Sequence, residues 1–239
     1  MIPNATALGI GGKGFYGETY EPTAKVNKTR MNSRKHRILE LALDGLRWTD
    51  DAIQESASRE SLNEPLACKP GCHYCCFNQP MATPPETLLV GHYVEQNFTD
   101  QERRVLFDKI EGILELTNGE SHEEIVKMRY ELPCIFLKDG MCSVYDVRPA
   151  VCRTCSSTDA EHCRMIFESK DPLARLHCYP HMRQIFQAVH TGLLTICHEM
   201  RCQSGPLQIA EAIRDYFNHP SPIEAWIKGE MIFHLTGVD

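Results

Sequence analysis

The stretch Cys68-Lys-Pro-Gly-Cys72-His-Tyr-Cys75-Cys76 places four thiols within nine residues. A second run, from Cys134 through Cys142 and Cys152 to Cys155, adds four more. Cysteine at this density serves either a disulfide framework or metal ligation, and the compartment decides between them. The chain opens on MIPNATALGIGGKGFYGETY, with no basic stretch followed by an apolar one, so no secretory signal is expected. No apolar run approaches the roughly 18 residues of a membrane span. The expected location is therefore the cytoplasm, where thiols stay reduced. A disulfide between the adjacent Cys75 and Cys76 would also close a strained ring. Metal or cluster binding is the reading that follows.

Composition narrows the partners. The 239 residues suffice for a substantial core, and 42% hydrophobic with 24% charged residues is ordinary for a globular protein. A net charge of −7 argues against nucleic acid as a partner. Lys25, Lys28, Arg30, Arg34, Lys35 and Arg37 carry six positive charges with no acid among them; without these, 19 basic residues face 32 acidic ones. This stretch reads as a solvated lead-in to a helix, or else as an arm for an acidic partner.

The pattern along the chain predicts a flexible arm over residues 1–32 and one mainly helical domain over 33–239. Within the arm, Gly9-Ile-Gly11-Gly12-Lys-Gly14 lacks the preceding strand and following helix of a dinucleotide-binding loop. Ile38, Leu41, Ala42, Leu46 and Ile53 fall near helical spacing between Arg34 and Ser58. Thr83-Pro84-Pro85-Glu86, Thr99-Asp-Gln-Glu102 and Ser121-His-Glu-Glu124 read as N-terminal caps, opening three helices between the cysteine runs. Asp139-Gly140 between apolar segments signals a two-residue hairpin. Pro149 opens a helical turn bearing Cys152 and Cys155, whose thiols at this spacing can face one point. A C-terminal helical part over 170–235 starts at Asp171-Pro172. Its longest helix opens at Pro180 with a stripe of Ile185, Phe186, Val189, Leu193 and Ile196, and two more begin at Ser204-Gly-Pro206 and Ser221-Pro222. The expected fold is mainly α, with one short β-hairpin beside a cysteine-ligated metal or cluster centre in the segment 65–156.

Thiolate-only donors select zinc or iron–sulfur clusters over hard cations. The eight cysteines Cys68, Cys72, Cys75, Cys76, Cys134, Cys142, Cys152 and Cys155 suit two four-thiolate zinc sites, or one [4Fe–4S] cluster with four thiols left over. An ideal hairpin at Asp139-Gly140 pairs Cys142 with Leu137 and sets Cys134 opposite Tyr145. The two thiols then point to opposite faces unless a bulge or an early strand end re-aims Cys134. Adjacent side chains diverge, so Cys75 and Cys76 cannot easily bind one ion with Cys68 and Cys72. Cys142 and Cys152 are therefore expected to fold back and join the first run.

Cys68-x3-Cys72-x2-Cys75-Cys76 followed by Cys134-x7-Cys142-Ser-Val-Tyr145-x2-Arg148-Pro149-x2-Cys152-Arg153 resembles the CxxCxxCC cysteine-cluster family over residues 65–156. Members are described as zinc- or iron-chelating proteins, and relatives include a flagellin lysine N-methylase that resembles an iron–sulfur protein. The resemblance implies an iron–sulfur or zinc centre and no common reaction. The first gap here is three residues rather than two, and Cys155 stands where relatives carry an apolar residue. Arg148 and Arg153 flank Cys152 and are candidates to offset the charge of an anionic cluster, although surface pairing with a helix acid explains them equally. His73 lies inside the motif and suits a supporting role better than a ligand.

His177-Cys178-x2-His181 and Cys197-His198-x3-Cys202 raise a second, mixed zinc site, although Cys197 also fits the apolar stripe of its helix. Cys163 has no partner at useful spacing. No P-loop, zinc-protease or nucleophile-elbow motif occurs. Cys68-x3-Cys72-x2-Cys75 matches a radical-enzyme spacing, but the strands such an enzyme needs are missing. Two classes remain: an iron–sulfur protein, with a [4Fe–4S] cluster as the expected centre, that is an enzyme acting on a protein or peptide, and a noncatalytic zinc-binding structural or interaction protein.

Overall fold

The computed structural model describes residues 34–59, 65–174 and 178–235. The arm at 1–32, its glycine loop, most of the basic stretch and His177 lie outside the described residues. Among those described, Lys35 pairs with Glu224 at 3.3 Å.

Nine helices account for most of the described residues: α1 (Arg34–Arg59), α2 (Pro84–Asn97), α3 (Asp100–Thr117), α4 (His122–Lys127), α5 (Ala150–Thr154), α6 (Ala160–Ser169), α7 (Pro180–Glu199), α8 (Ile209–Asn218) and α9 (Pro222–Ile227). None of them is long and apolar enough to cross a membrane. The central element is α2. Every residue from Pro84 to Gly91 is buried, as is Val94, the mark of a helix enclosed on all sides rather than laid on a surface. It packs against α1 on one side and α8 on the other. The α8 contact requires Gly91: a Cβ there would stand 2.6 Å from the buried ring of Tyr216. Leu46, Leu88, Val90, Ile110, Leu132, Ile213 and Trp226 join these helices in one continuous core.

The expected caps form. Thr83 and Thr99 each make a capping box with the glutamate three residues on, and the Ser121 side chain accepts from the Glu124 amide. Asn118 ends α3, with Gly119 at φ +78°. The stripe of α7 differs slightly from expectation: Met182, Ile185, Val189, Leu193 and Cys197 are its buried residues, with Ile196 displaced to the margin.

The hairpin also forms. β2 (Leu137–Lys138) pairs antiparallel with β3 (Met141–Cys142), with Leu137 opposite Cys142. Asp139 and Gly140 both take positive φ, 51° and 77°, as a type I′ turn demands. A second pairing was not anticipated: β1 (Met81–Ala82) lies antiparallel to β4 (Leu207–Gln208). Ser204-Gly-Pro206 therefore leads into this short strand, and α8 begins only after Gln208, whose side chain caps it. Asp171-Pro172 makes a turn rather than a helix, while α6, capped by Asp159, was unforeseen.

Candidate metal centre

Four backbone hydrogen bonds assemble the cysteines. The Cys134 amide donates to the Cys76 carbonyl at 2.7 Å, which joins the two runs. The Ala67 amide donates to the Ser157 carbonyl at 2.8 Å, and the Tyr179 amide to the Ser156 carbonyl at 3.0 Å. The segment after Cys155 thus holds Cys68 on one side and Cys178 on the other. Finally, Ser143 donates to Phe136 at 2.9 Å and closes the hairpin beyond β3.

Two sets of thiols result. Cys68, Cys72, Cys75, Cys155, Cys163 and Cys178 line one recess, together with Tyr74 and Ser157. Cys76, Cys134, Cys142 and Cys152 are not part of that lining. They lie near enough for the charge of one to bear on others of the set, and Cys75 bears on all four. Each cysteine run contributes to both sets. The first gives Cys68, Cys72 and Cys75 to the recess and Cys76 to the inner set; the second gives Cys155 to the recess and Cys134, Cys142 and Cys152 to the inner set.

The divergence of Cys75 and Cys76 is thereby used rather than relieved. Both lie on a short 3₁₀ turn, Tyr74–Phe77, which sends successive side chains in different directions. Cys152 and Cys155, expected to face one point, also part company. Cys152 sits within α5, whereas Cys155 is the residue that ends it, with extended-side ψ of 66°. Cys134 meets Cys142 because the ladder is only two residues long. Leu137 donates back to the Cys134 carbonyl at 2.9 Å, so Cys134 sits in a turn ahead of the strand and escapes its alternation.

α2 and α5 are fastened at their N-terminal ends by one carboxylate. Buried Glu86 accepts from the Thr83 amide at 2.8 Å and the Thr83 hydroxyl at 2.7 Å, and from the Ala150 amide at 2.8 Å. A negative charge suits the two converging helix starts. It also fixes α5, and with it Cys152, against the central helix.

Electrostatically, the thiols share protons. Cys155, and then Cys76, donate to Cys75 and hold it well below the usual thiol range despite burial. The Cys72 thiol lowers Cys68 to about 7, and Cys155 lowers Cys178. The donors Cys72, Cys76 and Cys155 are raised in turn. Burial pushes Cys134 up to about 12 and raises Cys142 and Cys152. A region this rich in half-buried sulfur suits a soft cation.

The two arginines differ. Arg148 stacks on the Tyr145 ring, its guanidinium carbon 3.7 Å from the centroid, and donates to the Tyr145 carbonyl at 3.0 Å. Its positive charge acts on Cys75, Cys142 and Cys152, and the Arg153 charge acts more weakly on Cys142. Arg153 is 6% exposed and pairs with Asp50 of α1. It donates further to the carbonyls of Arg148 at 2.9 Å and Asp146 at 2.6 Å. Its hydrogen bonds are those of a brace between α1 and α5.

His73 turns away from the recess and packs its ring against Tyr74 and Phe167. The second, mixed zinc site is not assembled. Cys197 and Cys202 are buried in the main core, about 25 Å of α7 away from its start beside Cys178. Conversely, Cys163, for which the sequence offered no partner, lines the recess. Phe167 of α6 packs on Phe77 of the 3₁₀ turn, with ring centroids 4.8 Å apart, and so brings Cys163 in. The Asp159 cap was the one signal for α6, and it lay too close to the second run to be separated from it.

The donor set of the recess, sulfur without carboxylate or imidazole, fits zinc or an iron–sulfur centre. Among the described residues, no three donors already stand in the arrangement that a single ion needs. No curated protein and no solved structure matches the chain. Residues 67–171, which carry nine of the 12 cysteines, match the model of the CxxCxxCC family, described as a "putative zinc- or iron-chelating domain".

Proposed function

We propose that the protein binds an iron–sulfur centre through the two interleaved thiol sets. The observation that carries this reading is the spread of the sulfurs. Six of them, from three separate parts of the chain, line one recess, and among the described residues no three donors stand in the arrangement that a single ion needs. A cluster supplies its own sulfide and spaces its thiolate ligands widely, whereas one tetrahedral ion draws them together. Cys68, Cys72, Cys75 and Cys155 are the ligands proposed on the recess side, with Cys76, Cys134, Cys142 and Cys152 as the inner set. A bound cluster would supply one-electron chemistry. The chain's own part is to hold the thiolates and to place the Arg148 charge beside them.

One observation favours zinc as a second reading. The Cys155 and Cys178 sulfurs stand 3.6 Å apart, near the ~3.8 Å edge of a tetrahedron with metal–sulfur bonds of about 2.3 Å. In this reading each thiol set holds one structural zinc. Iron, zinc and acid-labile sulfide determined on protein prepared without oxygen separate the two. Iron with sulfide supports the cluster; zinc alone supports the second reading.

A further inference from the structure

Cys178 lies beyond the matched segment 67–171, yet the fold delivers it to the same recess as Cys68, Cys72, Cys75 and Cys155. Its delivery is built into the backbone. The Tyr179 amide donates to the Ser156 carbonyl at 3.0 Å, so the residues flanking Cys178 and Cys155 are tied together. α7 then departs from Pro180. The sulfurs of the two cysteines stand 3.6 Å apart, close to the ~3.8 Å expected for two thiolates sharing one tetrahedral metal atom. The pair differs in access: Cys155 is half-buried and Cys178 exposed.

We infer that Cys178 is a ligand of the recess-side centre, sharing a metal atom with Cys155, so that this pair supplies two of its four thiolates and Cys68, Cys72 and Cys75 are left to supply the other two. Being the exposed one, it is the ligand that exchanges with solvent or with an incoming donor. The inference rests on the reading that the thiol sets hold iron or zinc. It adds a ligand from outside the matched segment and assigns the open coordination position. With a metal bound, Cys178 would be the thiolate free to take up a proton from solvent and yield its place to an incoming soft donor such as a thiolate, with no change of oxidation state.

The test is alkylation of the full chain by iodoacetamide, with peptide mass mapping, on protein loaded with its metal and on the same protein stripped by a chelator. Cys178 is expected to react at least about tenfold more slowly in the loaded protein. Cys178→Ser is expected to release metal to the chelator at least about tenfold faster than the wild-type chain, in line with the loss on disturbing a metal's surroundings. Cys197→Ala, deep in the core, should not change the release rate. Equal reactivity of Cys178 in loaded and stripped protein overturns this inference alone. A preparation that carries neither iron nor zinc overturns it together with the reading beneath it.

Discussion

The amide of Cys134 donates to the carbonyl of Cys76 at 2.7 Å. This bond joins two cysteine runs that 57 residues separate in the sequence. The intervening helices α2, α3 and α4 form the loop that it closes, so ligation by both runs ties metal binding to the fold of the whole middle segment.

Cys142→Ser and Cys152→Ser should each lower metal content although the first run stays intact, because each removes a thiol from the inner set. Metal analysis of the purified variants measures this. Full metal content in both would mean that Cys142 and Cys152 take no part in ligation.

Glu86→Gln should destabilise the protein by about 1–3 kcal/mol. The amide retains one acceptor oxygen where the carboxylate serves three donors with two, and a buried N–H is left unpaired. Urea denaturation of the stripped protein reads this apart from any metal effect. A change below about 0.5 kcal/mol would show that α5 is held by other contacts.

Much of this was legible in advance. The caps at Thr83, Thr99 and Ser121 and the Asp139-Gly140 turn are local chemistry, each decided within four residues. The pairing of β1 with β4 was not legible, since two-residue strands over a hundred positions apart carry no period of their own. The division of the thiols was half legible. The divergence of Cys75 from Cys76 follows from adjacency, but that Cys155 joins the first run depends on where α5 stops. Cys163 and Cys178 entered the recess through α6 and through the Tyr179–Ser156 hydrogen bond, both tertiary events.

Gly91→Ala should cost about 1–3 kcal/mol by overpacking, because the added methyl meets the Tyr216 ring, itself buried between α2 and its neighbours. Thermal or urea unfolding measures the loss. Wild-type stability would mean that α8 shifts away freely.

Arg148→Gln should lower the reduction potential of the centre by tens of millivolts while leaving its metal content intact. A nearby positive charge favours the reduced, more negative cluster, so its removal favours the oxidised form. Arg153→Met should instead reduce stability, since its guanidinium braces α1 to α5 through Asp50 and two carbonyls. Redox titration and urea denaturation of both variants distinguish the roles; interchanged effects would reverse the assignment.

The central claim is that the interleaved thiols hold an iron–sulfur centre. The most direct measurement is the iron, zinc and acid-labile sulfide content of the full chain after anaerobic growth and purification, taken with its visible spectrum. The account predicts iron and sulfide in comparable amounts and a broad visible absorption that bleaches on reduction. Colourless protein holding zinc and no sulfide would contradict it.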